Sequence, residues 1–257
     1  MADIEVVTEE RIGVVRLNRP VARNAMTLAM WKDMARVFGE LGCDPDVRAI
    51  ILTGAGGNFS VGADVSEFAK VRSSVEDSAA YEVAVDASSD AIAGVPKPVI
   101  AVIEGYCLGG GCHLSLACDF RFTHADASIG IPAAKLSIIY GVRSTQRLLS
   151  LVGLTNARRI LYSAERFGAA EAERIGFSDC VSDNPMRDAK AFAANIATLA
   201  PLSVAGAKSI LTNLAMGDGA LDTKAAQRLI DHASASNDYE EGRRAFAEKR
   251  PPVFKGR

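Results

Sequence analysis

Two spacings of hydrophobic residues divide the chain into strands and helices. Runs such as Ala49–Leu52 and Val99–Ile103 are apolar at every position, which is typical of strands buried on both faces of a sheet. Near the start, Ile4–Thr8 and Gly13–Leu17 enclose a polar turn and predict a hairpin. After Asn24 a helix is predicted, because one apolar face repeats every three or four residues. That face consists of Leu28, Trp31, Met34, Phe38 and Leu41.

The alternation of strands and helices continues to about residue 200. Strands are predicted at Phe120–Thr123 and Ala127–Ile131, and a weakly patterned helical cover at Val65–Gly94. Because strands and helices alternate, the order predicts an α/β fold. Four further helical patterns follow, at Val142–Val152, Ala157–Tyr162, Ala169–Ile175 and Pro185–Ala200.

Beyond Pro201 the pattern changes to helix alone. Helices are predicted at Ser203–Met216, Leu221–Ser236 and Tyr239–Lys249, without a strand pattern between them. We therefore predict a core over residues 1–200 and a helical C-terminal region over residues 201–257. That region would pack on itself or on another subunit.

Composition narrows the classes of partner. Apolar residues make up 49% and charged residues 23% of the chain, and the net charge of −2 gives no electrostatic case for nucleic acid or an anionic membrane. The apolar runs are only as long as strands, and the N-terminus lacks the features of a signal peptide. The number of cysteines is odd, at five, which does not suggest a disulfide framework. We therefore expect a cytoplasmic protein with reduced thiols, without nucleic-acid or membrane partners.

Two glycine-bearing turns each follow a buried strand. Gly62-Ala63-Asp64 comes after the strand Ile50–Thr53, and Gly109-Gly110-Gly111 comes after Val99–Ile103. If both strands lie in one parallel sheet, both turns emerge at the carboxyl edge, where ligands bind in such folds. Two backbone N–H groups converging there would form an oxyanion hole. Two tight turns without a ligand are the alternative that the residues alone leave open.

Other chemistries suggested by this stretch fail on spacing. Gly109-Gly-Gly-Cys-His-Leu is not the G-x-G-x-x-G fingerprint of a dinucleotide site. On one helix, Cys112 and Cys118 would point about 240° apart, so they cannot share a metal ion. Ser115 and His113 are two residues apart and do not face each other, which excludes a catalytic triad with Asp119. No metal and no separate cofactor are expected.

His113 lies in the first turns of the helix that begins at the glycines. Burial and a helix N-terminus both favour the neutral imidazole, which could act as a base or as a hydrogen-bond donor. A satisfied core histidine that shares a face with Leu116 and Ala117 is the alternative, and the residues alone favour it.

Together these stretches resemble the crotonase superfamily, also called the enoyl-CoA hydratase/isomerase family. The resemblance covers nearly the whole chain, and several motifs in order are more specific than any one of them. They are Leu17-Asn-Arg-Pro20 with Asn24-Ala25, Ala49-Ile-Ile-Leu-Thr-Gly54, Phe59-Ser-Val-Gly-Ala-Asp64, Lys97-Pro-Val-Ile-Ala-Val102, Gly105-Tyr-Cys-Leu-Gly-Gly-Gly-Cys112, Ala117-Cys-Asp119, Thr145-Gln-Arg-Leu148 and Phe246-Ala-Glu-Lys-Arg-Pro-Pro-Val-Phe254.

The resemblance implies a crotonase-like fold, with a core of repeated ββα turns and a helical C-terminal region that makes homotrimers, commonly paired into hexamers. It also implies an acyl-CoA thioester as substrate, with coenzyme A bound as part of that substrate. The N–H groups of Ala63 and Gly110 would hold the thioester oxygen. The implied coenzyme A contacts are Arg23, Ala25, Ser60, Gly62 and Asp64, with Lys249 and Phe254 reaching coenzyme A from the tail, from this chain or a neighbouring subunit.

The departures from the family's hydratases concern the two glutamates that position water and exchange a proton. At the positions that the resemblance assigns to them stand His113 and Ala133. Ordinary hydration is therefore not expected. A tyrosine similar in position to Tyr140 occurs in the family's methylmalonyl-CoA decarboxylase-like members; here it would assist catalysis or merely line the acyl pocket. Arg143 and Glu67 are the other polar residues expected nearby.

We therefore predict an acyl-CoA enzyme that stabilises a thioester enolate, with Ala63, Gly110, His113 and Tyr140 as catalytic residues. Lyase chemistry (decarboxylation or C–C cleavage) ranks slightly above isomerisation, and hydrolysis ranks third. The alternative from another class is a non-catalytic acyl-CoA-binding homologue. Missing acids favour that alternative, and the intact glycine turns argue against it.

Overall fold

Short strands form two sheets in the computed structural model, which describes residues 2–216 and 222–257. In the described chain the strands are β1 (Ile4–Glu9), β2 (Ile12–Leu17), β3 (Ala49–Gly54), β4 (Val99–Ile103), β5 (Tyr106–Leu108), β6 (Phe120–His124), β7 (Ser128–Gly130), β8 (Arg166–Gly168) and β9 (Cys180–Ser182).

The larger sheet has the strand order β1-β2-β3-β4-β6-β9. Strands β1 and β2 form the predicted antiparallel hairpin, and all other pairs in this sheet are parallel. The smaller sheet has the order β5-β7-β8, with β5 and β7 parallel and β8 antiparallel. Strands β3 and β4 are therefore parallel neighbours, as the two-turn hypothesis requires.

The helices surround these sheets. They are α1 (Leu28–Cys43), α2 (Phe68–Val71), α3 (Val75–Gly94), α4 (Gly110–Ala117), α5 (Val142–Ser163), α6 (Ala169–Arg174), α7 (Pro185–Ala197), α8 (Pro201–Met216), α9 (Thr223–Ser234) and α10 (Asn237–Glu248). The units β4-β5-α4 and β6-β7-α5 show the predicted strand–strand–helix order, and the α/β fold class is confirmed.

The core lies on both faces of the larger sheet. One cluster joins alternate residues of β3 and β4, such as Ile50 and Val99, to α1, α3 and α4. The second cluster joins the opposite residues, such as Ile51 and Ile100, to α7. Because both faces are covered, every residue of these two strands is buried and apolar runs replace alternation.

Several predicted boundaries were wrong. The first helix begins at Leu28 rather than Asn24, because Thr27 is the N-cap and accepts a hydrogen bond from the N–H of Met30. The separation of the two helices predicted at Val142–Val152 and Ala157–Tyr162 is confirmed, because α5 contains a kink at Gly153, whose φ of 73° and ψ of 166° are not helical. Leu221, the predicted start of the second tail helix, lies outside the described residues.

The predicted division at residue 200 falls in the connection between α7 and α8. Among the residues that the structure describes, no single helix is long and apolar enough to cross a membrane. Helices α7 and α8 reach that length only as a pair, and the pair is bent by 112°.

Candidate active site

The two glycine turns lie side by side at the carboxyl ends of β3 and β4. The loop after β3 joins β5 through two hydrogen bonds: the N–H of Ser60 donates to the Tyr106 carbonyl at 2.9 Å, and the Leu108 N–H donates to the Ser60 carbonyl at 2.9 Å. This short parallel ladder places Gly62 and Ala63 beside the start of α4. The expectation that both turns share one edge is confirmed.

Among the backbone N–H groups at this edge that have no acceptor within the described chain, two lie close together on the facing turns. They belong to Ala63 and Gly110. A Cβ atom added to Gly110 would lie 3.2 Å from the Ala63 nitrogen, so the two donors are close neighbours. Gly110 is also the first residue of α4, where the helix dipole is positive. The arrangement fits an oxyanion hole for one oxygen atom.

The glycines are required by this close approach. Gly109 has φ 50° and ψ −106°, a conformation that strains any residue with a Cβ atom. At Gly111 a Cβ atom would lie 2.5 Å from the Ser60 carbonyl oxygen, and at Gly62 it would lie 2.7 Å from the Gly110 nitrogen. The three-glycine run thus lets α4 start directly against the Ser60–Ala63 segment.

A cavity of about 160 Å³ opens beside these donors. Its wall is mainly apolar and includes Trp31, Phe68, Val85, Ile131, Leu136 and Ile138. The indole N–H of Trp31 donates to the Tyr81 hydroxyl at 2.8 Å, which fixes two large side chains of this wall. Burial raises the pKa of Tyr81 to about 12, so its phenol stays neutral. An apolar pocket with few polar groups is typical of a small-molecule site.

His113 lines the cavity, but both of its ring nitrogens already have partners. Nε2 lies 3.1 Å from the Val85 carbonyl oxygen, which can only accept, so Nε2 carries the proton. Nδ1 contacts the Ser144 hydroxyl and accepts from it. Burial lowers the pKa of His113 to about 4, and the ring is only 4% exposed. This arrangement matches the satisfied core histidine that the sequence left open, and it provides no free nitrogen to a substrate.

Tyr140 is half-buried in the same cavity, in edge-to-face contact with His113. Its hydroxyl donates a hydrogen bond to the Gly109 carbonyl at 3.2 Å. Burial holds the pKa of Tyr140 well above its usual value, so the phenol is neutral and can only donate or accept hydrogen bonds. Ala133 also lines this cavity and contributes no polar side chain.

The segments implied as coenzyme A contacts are adjacent. The N–H of Met26 donates to the Gly62 carbonyl at 2.8 Å, and the N–H of Asp64 donates to the Met26 carbonyl at 2.9 Å. The Arg23 side chain is exposed, with its guanidinium 5.1 Å from the ring centroid of Tyr106. The structure thus aligns residues 23–26 and 60–64 next to the two N–H donors.

Three of the implied contacts hold this segment together from within. The Ser60 side chain is fully buried, and its hydroxyl donates to the Asn24 carbonyl at 2.7 Å. The carbonyl of Ala25 accepts from Arg19 at 2.6 Å. Asp64 pairs with Arg19 at 2.9 Å, and hydrogen bonds from Ser66 and then Arg19 lower the pKa of its carboxyl.

The tail residues are not brought to this cavity by their own chain. Lys249 ends α10 with φ 54°, and Phe254 lies 3.5 Å from where a Cβ on Gly242 would stand. Phe254 lines a larger cavity of about 800 Å³ between α8, α9 and α10. That cavity has no lining residue in common with the cavity beside Ala63 and Gly110.

Sequence reasoning missed the polar residues that α3 and the residue after α2 bring to the cavity. Glu82, Asp86 and Arg72 all line it. The missed signal was the spacing of four residues between Glu82, Asp86 and Asp90 in a helix that read as weakly patterned. Arg143, which the sequence placed near the site, instead pairs with Asp90 at 2.7 Å.

Two further observations concern the Glu67 carboxylate and the side chains that could bind a metal ion. Glu67 accepts a hydrogen bond from the Leu28 N–H at 3.0 Å, so its carboxylate braces the start of α1. Over the described ranges, His, Cys, Asp and Glu side chains form no group of three or more that could hold a metal ion.

Comparisons with known proteins agree over the full length. Residues 7–257 match the family model described as enoyl-CoA hydratase/isomerase. The short-chain-enoyl-CoA hydratase of Clostridium acetobutylicum is 35% identical over 247 residues, which cover 94% of this chain and 93% of that relative.

Solved structures give the same result. An enoyl-CoA hydratase/isomerase family protein from Hyphomonas neptunium superposes with a TM-score of 0.95 at 34% identity, covering 100% of this chain and 98% of its own. Enoyl-CoA hydratase from Bacillus anthracis superposes with a TM-score of 0.90 at 32% identity and covers 100% of both chains. The expected crotonase-like fold is confirmed.

Proposed function

The chain belongs to the enoyl-CoA hydratase/isomerase family, and we propose that it transforms acyl-CoA thioesters through an enolate held at Ala63 and Gly110. The observation that supports this most is the pair of adjacent N–H groups without acceptors, at the start of α4. A thioester oxygen accepting from both would gain charge as the enolate forms. Each donor of such a hole contributes about 10²–10³ in rate.

The chemistry we propose is not hydration by two glutamates. His113 and Ala133 stand at the positions that the resemblance assigns to those acids, and neither is a carboxylate. The relative from Clostridium acetobutylicum is named a hydratase, but in this chain the two positions that the resemblance assigns to the paired acids carry no carboxylate. Loss of CO₂ from an acyl-CoA, or movement of a proton along the acyl chain, needs only the hole and one further group.

Within this site we give His113 a positioning role rather than a proton-transfer role. Its ring joins Val85 of α3 to Ser144 of α5, and it supports the ring of Tyr140. The Tyr140 hydroxyl lines the cavity and donates to the Gly109 carbonyl; to assist decarboxylation, the second candidate, it would have to leave that carbonyl and donate to a substrate carboxylate.

Coenzyme A would lie along residues 23–26 and 60–64, since these segments are adjacent to the hole. The exposed guanidinium of Arg23 is the charged group there that suits phosphate. At the buried residues of these segments, coenzyme A would contact backbone atoms rather than side chains. Ser60 and Ala25 serve as supports in this arrangement.

We propose that Lys249 and Phe254 complete the site of a neighbouring subunit in a trimer or a dimer of trimers. The tail helices expose apolar side chains, among them Leu211, Leu214 and Phe246, which is 87% exposed. Such a surface is typical of a subunit interface. Light scattering that gives the mass of one chain would contradict this assembly.

The proposed function is tested by turnover of crotonyl-CoA and methylmalonyl-CoA by the wild type and Gly110→Ala. A Cβ atom at this position would lie 3.2 Å from the Ala63 nitrogen and obstruct the hole. We expect decarboxylation or isomerisation products, little hydration, and a kcat lowered about 10²–10³-fold in the variant. Gly39→Ala is the matched control, because a Cβ there meets nothing within 4 Å.

The outcomes separate the candidates. Efficient hydration of crotonyl-CoA would contradict the departure from the two-glutamate mechanism. Binding across a panel of acyl-CoA thioesters without turnover would support the non-catalytic homologue instead. Equal kcat in the wild type and Gly110→Ala would show that the reaction does not use this hole.

A further inference from the structure

Three acidic residues of α3 are spaced four apart and share one face of the helix. The two outer ones are neutralised: Glu82 pairs with Arg72 at 2.9 Å, and Asp90 pairs with Arg143 at 2.7 Å. The middle one is Asp86. Across the described residues, its carboxylate takes part in no hydrogen bond and no ion pair.

Asp86 lines the same cavity as Ala63 and Gly110. Asp86 is half-buried, and its Oδ1 atom lies 3.9 Å from the point where a Cβ atom on Gly141 would stand. Gly141 also lines the cavity, so the space beside this carboxylate is open to a ligand. An unpaired carboxylate and two unpaired N–H donors therefore face one apolar cavity.

The other proton carriers of this cavity are already engaged. Both nitrogens of His113 have partners, the Tyr140 hydroxyl donates to Gly109, and the Tyr81 hydroxyl accepts from Trp31. The Glu82 carboxylate is held by Arg72. Within the described part of the lining, Asp86 is the carboxylate left free to accept a proton.

We propose that Asp86 is the proton-transfer residue of the site, an inference that rests on the proposed acyl-CoA function. The carboxylate takes a proton from the carbon next to the thioester carbonyl, and the C–H electron pair passes into an enolate whose oxygen accepts from Ala63 and Gly110. The protonated Asp86 then returns that proton to the chain two carbons further on. One proton moves, a β,γ double bond becomes α,β, and no water or co-reactant is consumed.

This assignment specifies the substrate class. The substrate is a β,γ-unsaturated acyl-CoA, and the cavity of about 160 Å³ suits a short acyl group. Isomerisation then ranks above the lyase chemistry that the sequence placed first. Isomerisation uses the Asp86 carboxylate as its base, whereas decarboxylation requires no base to remove a proton.

The test is exchange of the proton next to the thioester carbonyl with solvent deuterium, measured by mass spectrometry. Saturated acyl-CoA thioesters from acetyl to octanoyl serve as probes, and calorimetry gives their Kd. We expect exchange in the wild type and a loss of about 10²–10⁴-fold in Asp86→Asn, with Kd changed less than about threefold. Glu76→Gln removes a carboxylate on the exposed first turn of α3 and should exchange like the wild type.

A second variant separates chemistry from folding. Asp86→Glu keeps the carboxylate and should exchange faster than Asp86→Asn; if the melting curve shows that Asp86→Asn is unfolded, Asp86→Ser replaces it. Equal exchange in the wild type and the folded variant would overturn the Asp86 assignment alone. Binding without exchange of any probe would overturn proton transfer and leave the decarboxylation candidate, whereas absence of both binding and turnover would refute the proposed function.

Discussion

At the scale of single residues, the hydrogen-bond partners of His113 determine what its imidazole can do. The sequence placed it where a family glutamate is expected and left two roles open. Its partners, Val85 and Ser144, come from α3 and α5, which are distant in the chain. Their arrangement could not be predicted from spacing. The glycines, in contrast, were predictable, because only residues without a Cβ atom allow the approach between Gly110 and Ala63.

The same environment predicts a pH dependence of stability. Burial lowers the pKa of His113 from 6.5 to about 4 in the folded chain. Between these values the unfolded chain binds a proton that the folded chain does not, so the free energy of unfolding falls as the pH falls. In His113→Gln, which keeps a donor and an acceptor, this part of the slope disappears. Each pKa unit corresponds to about 1.4 kcal/mol, so the expected difference is about 3 kcal/mol between pH 7 and pH 4.

Urea unfolding of the wild type and His113→Gln at pH 7 and pH 4 measures this difference. Carboxylates titrate in both proteins and cancel in the comparison. Parallel pH profiles for the two proteins would show that the imidazole is not held neutral by burial.

At the scale of elements, the long patterns were predicted, whereas among the three-residue strands only β7 was predicted and β5, β8 and β9 were not. Strands β3 and β4 and helix α1 carry enough apolar residues to define their period. Strands β8 and β9 have three residues each, and they form only because neighbouring strands offer backbone partners. Acids on α3 were overlooked for a related reason: their common face matters only when the cavity beside it is known.

The attachment of the tail to the core gives a second stability prediction. The Lys208 ammonium of α8 donates to Asp119 at 2.7 Å and to the Lys97 carbonyl at 2.9 Å, and its side chain is only 8% exposed. Lys208→Met should lower the free energy of unfolding by about 2–4 kcal/mol, because it leaves a partly buried carboxylate without its cation.

Lys190→Met is the matched control for that substitution. Its ammonium pairs with Glu9 at 3.0 Å, and both side chains are exposed, so a change below about 1 kcal/mol is expected. Urea unfolding of both variants measures the two effects. Equal losses would mean that the Lys208 contact does not anchor α8.

At the scale of the whole molecule, the family and the fold were predictable from motifs, whereas the reaction was not. The motifs specify the backbone of the two glycine turns, and both turns lie within residues 7–257, which the family model matches. The motifs do not specify which side chain beside these turns is available for proton transfer, because that side chain comes from a helix outside them. Here α3 supplies Asp86, while position 133 supplies only a methyl group. Family membership therefore supports the proposed thioester substrate but does not specify which reaction this protein catalyses.

The most direct measurement of the central claim is a crystal structure of the protein with a non-hydrolysable acyl-CoA analogue. We expect the thioester carbonyl oxygen within about 2.7–3.1 Å of the nitrogens of both Ala63 and Gly110. The acyl chain should enter the cavity that Asp86 lines. A thioester bound elsewhere, such as in the cavity between α8, α9 and α10, with both N–H groups left free, would contradict the account.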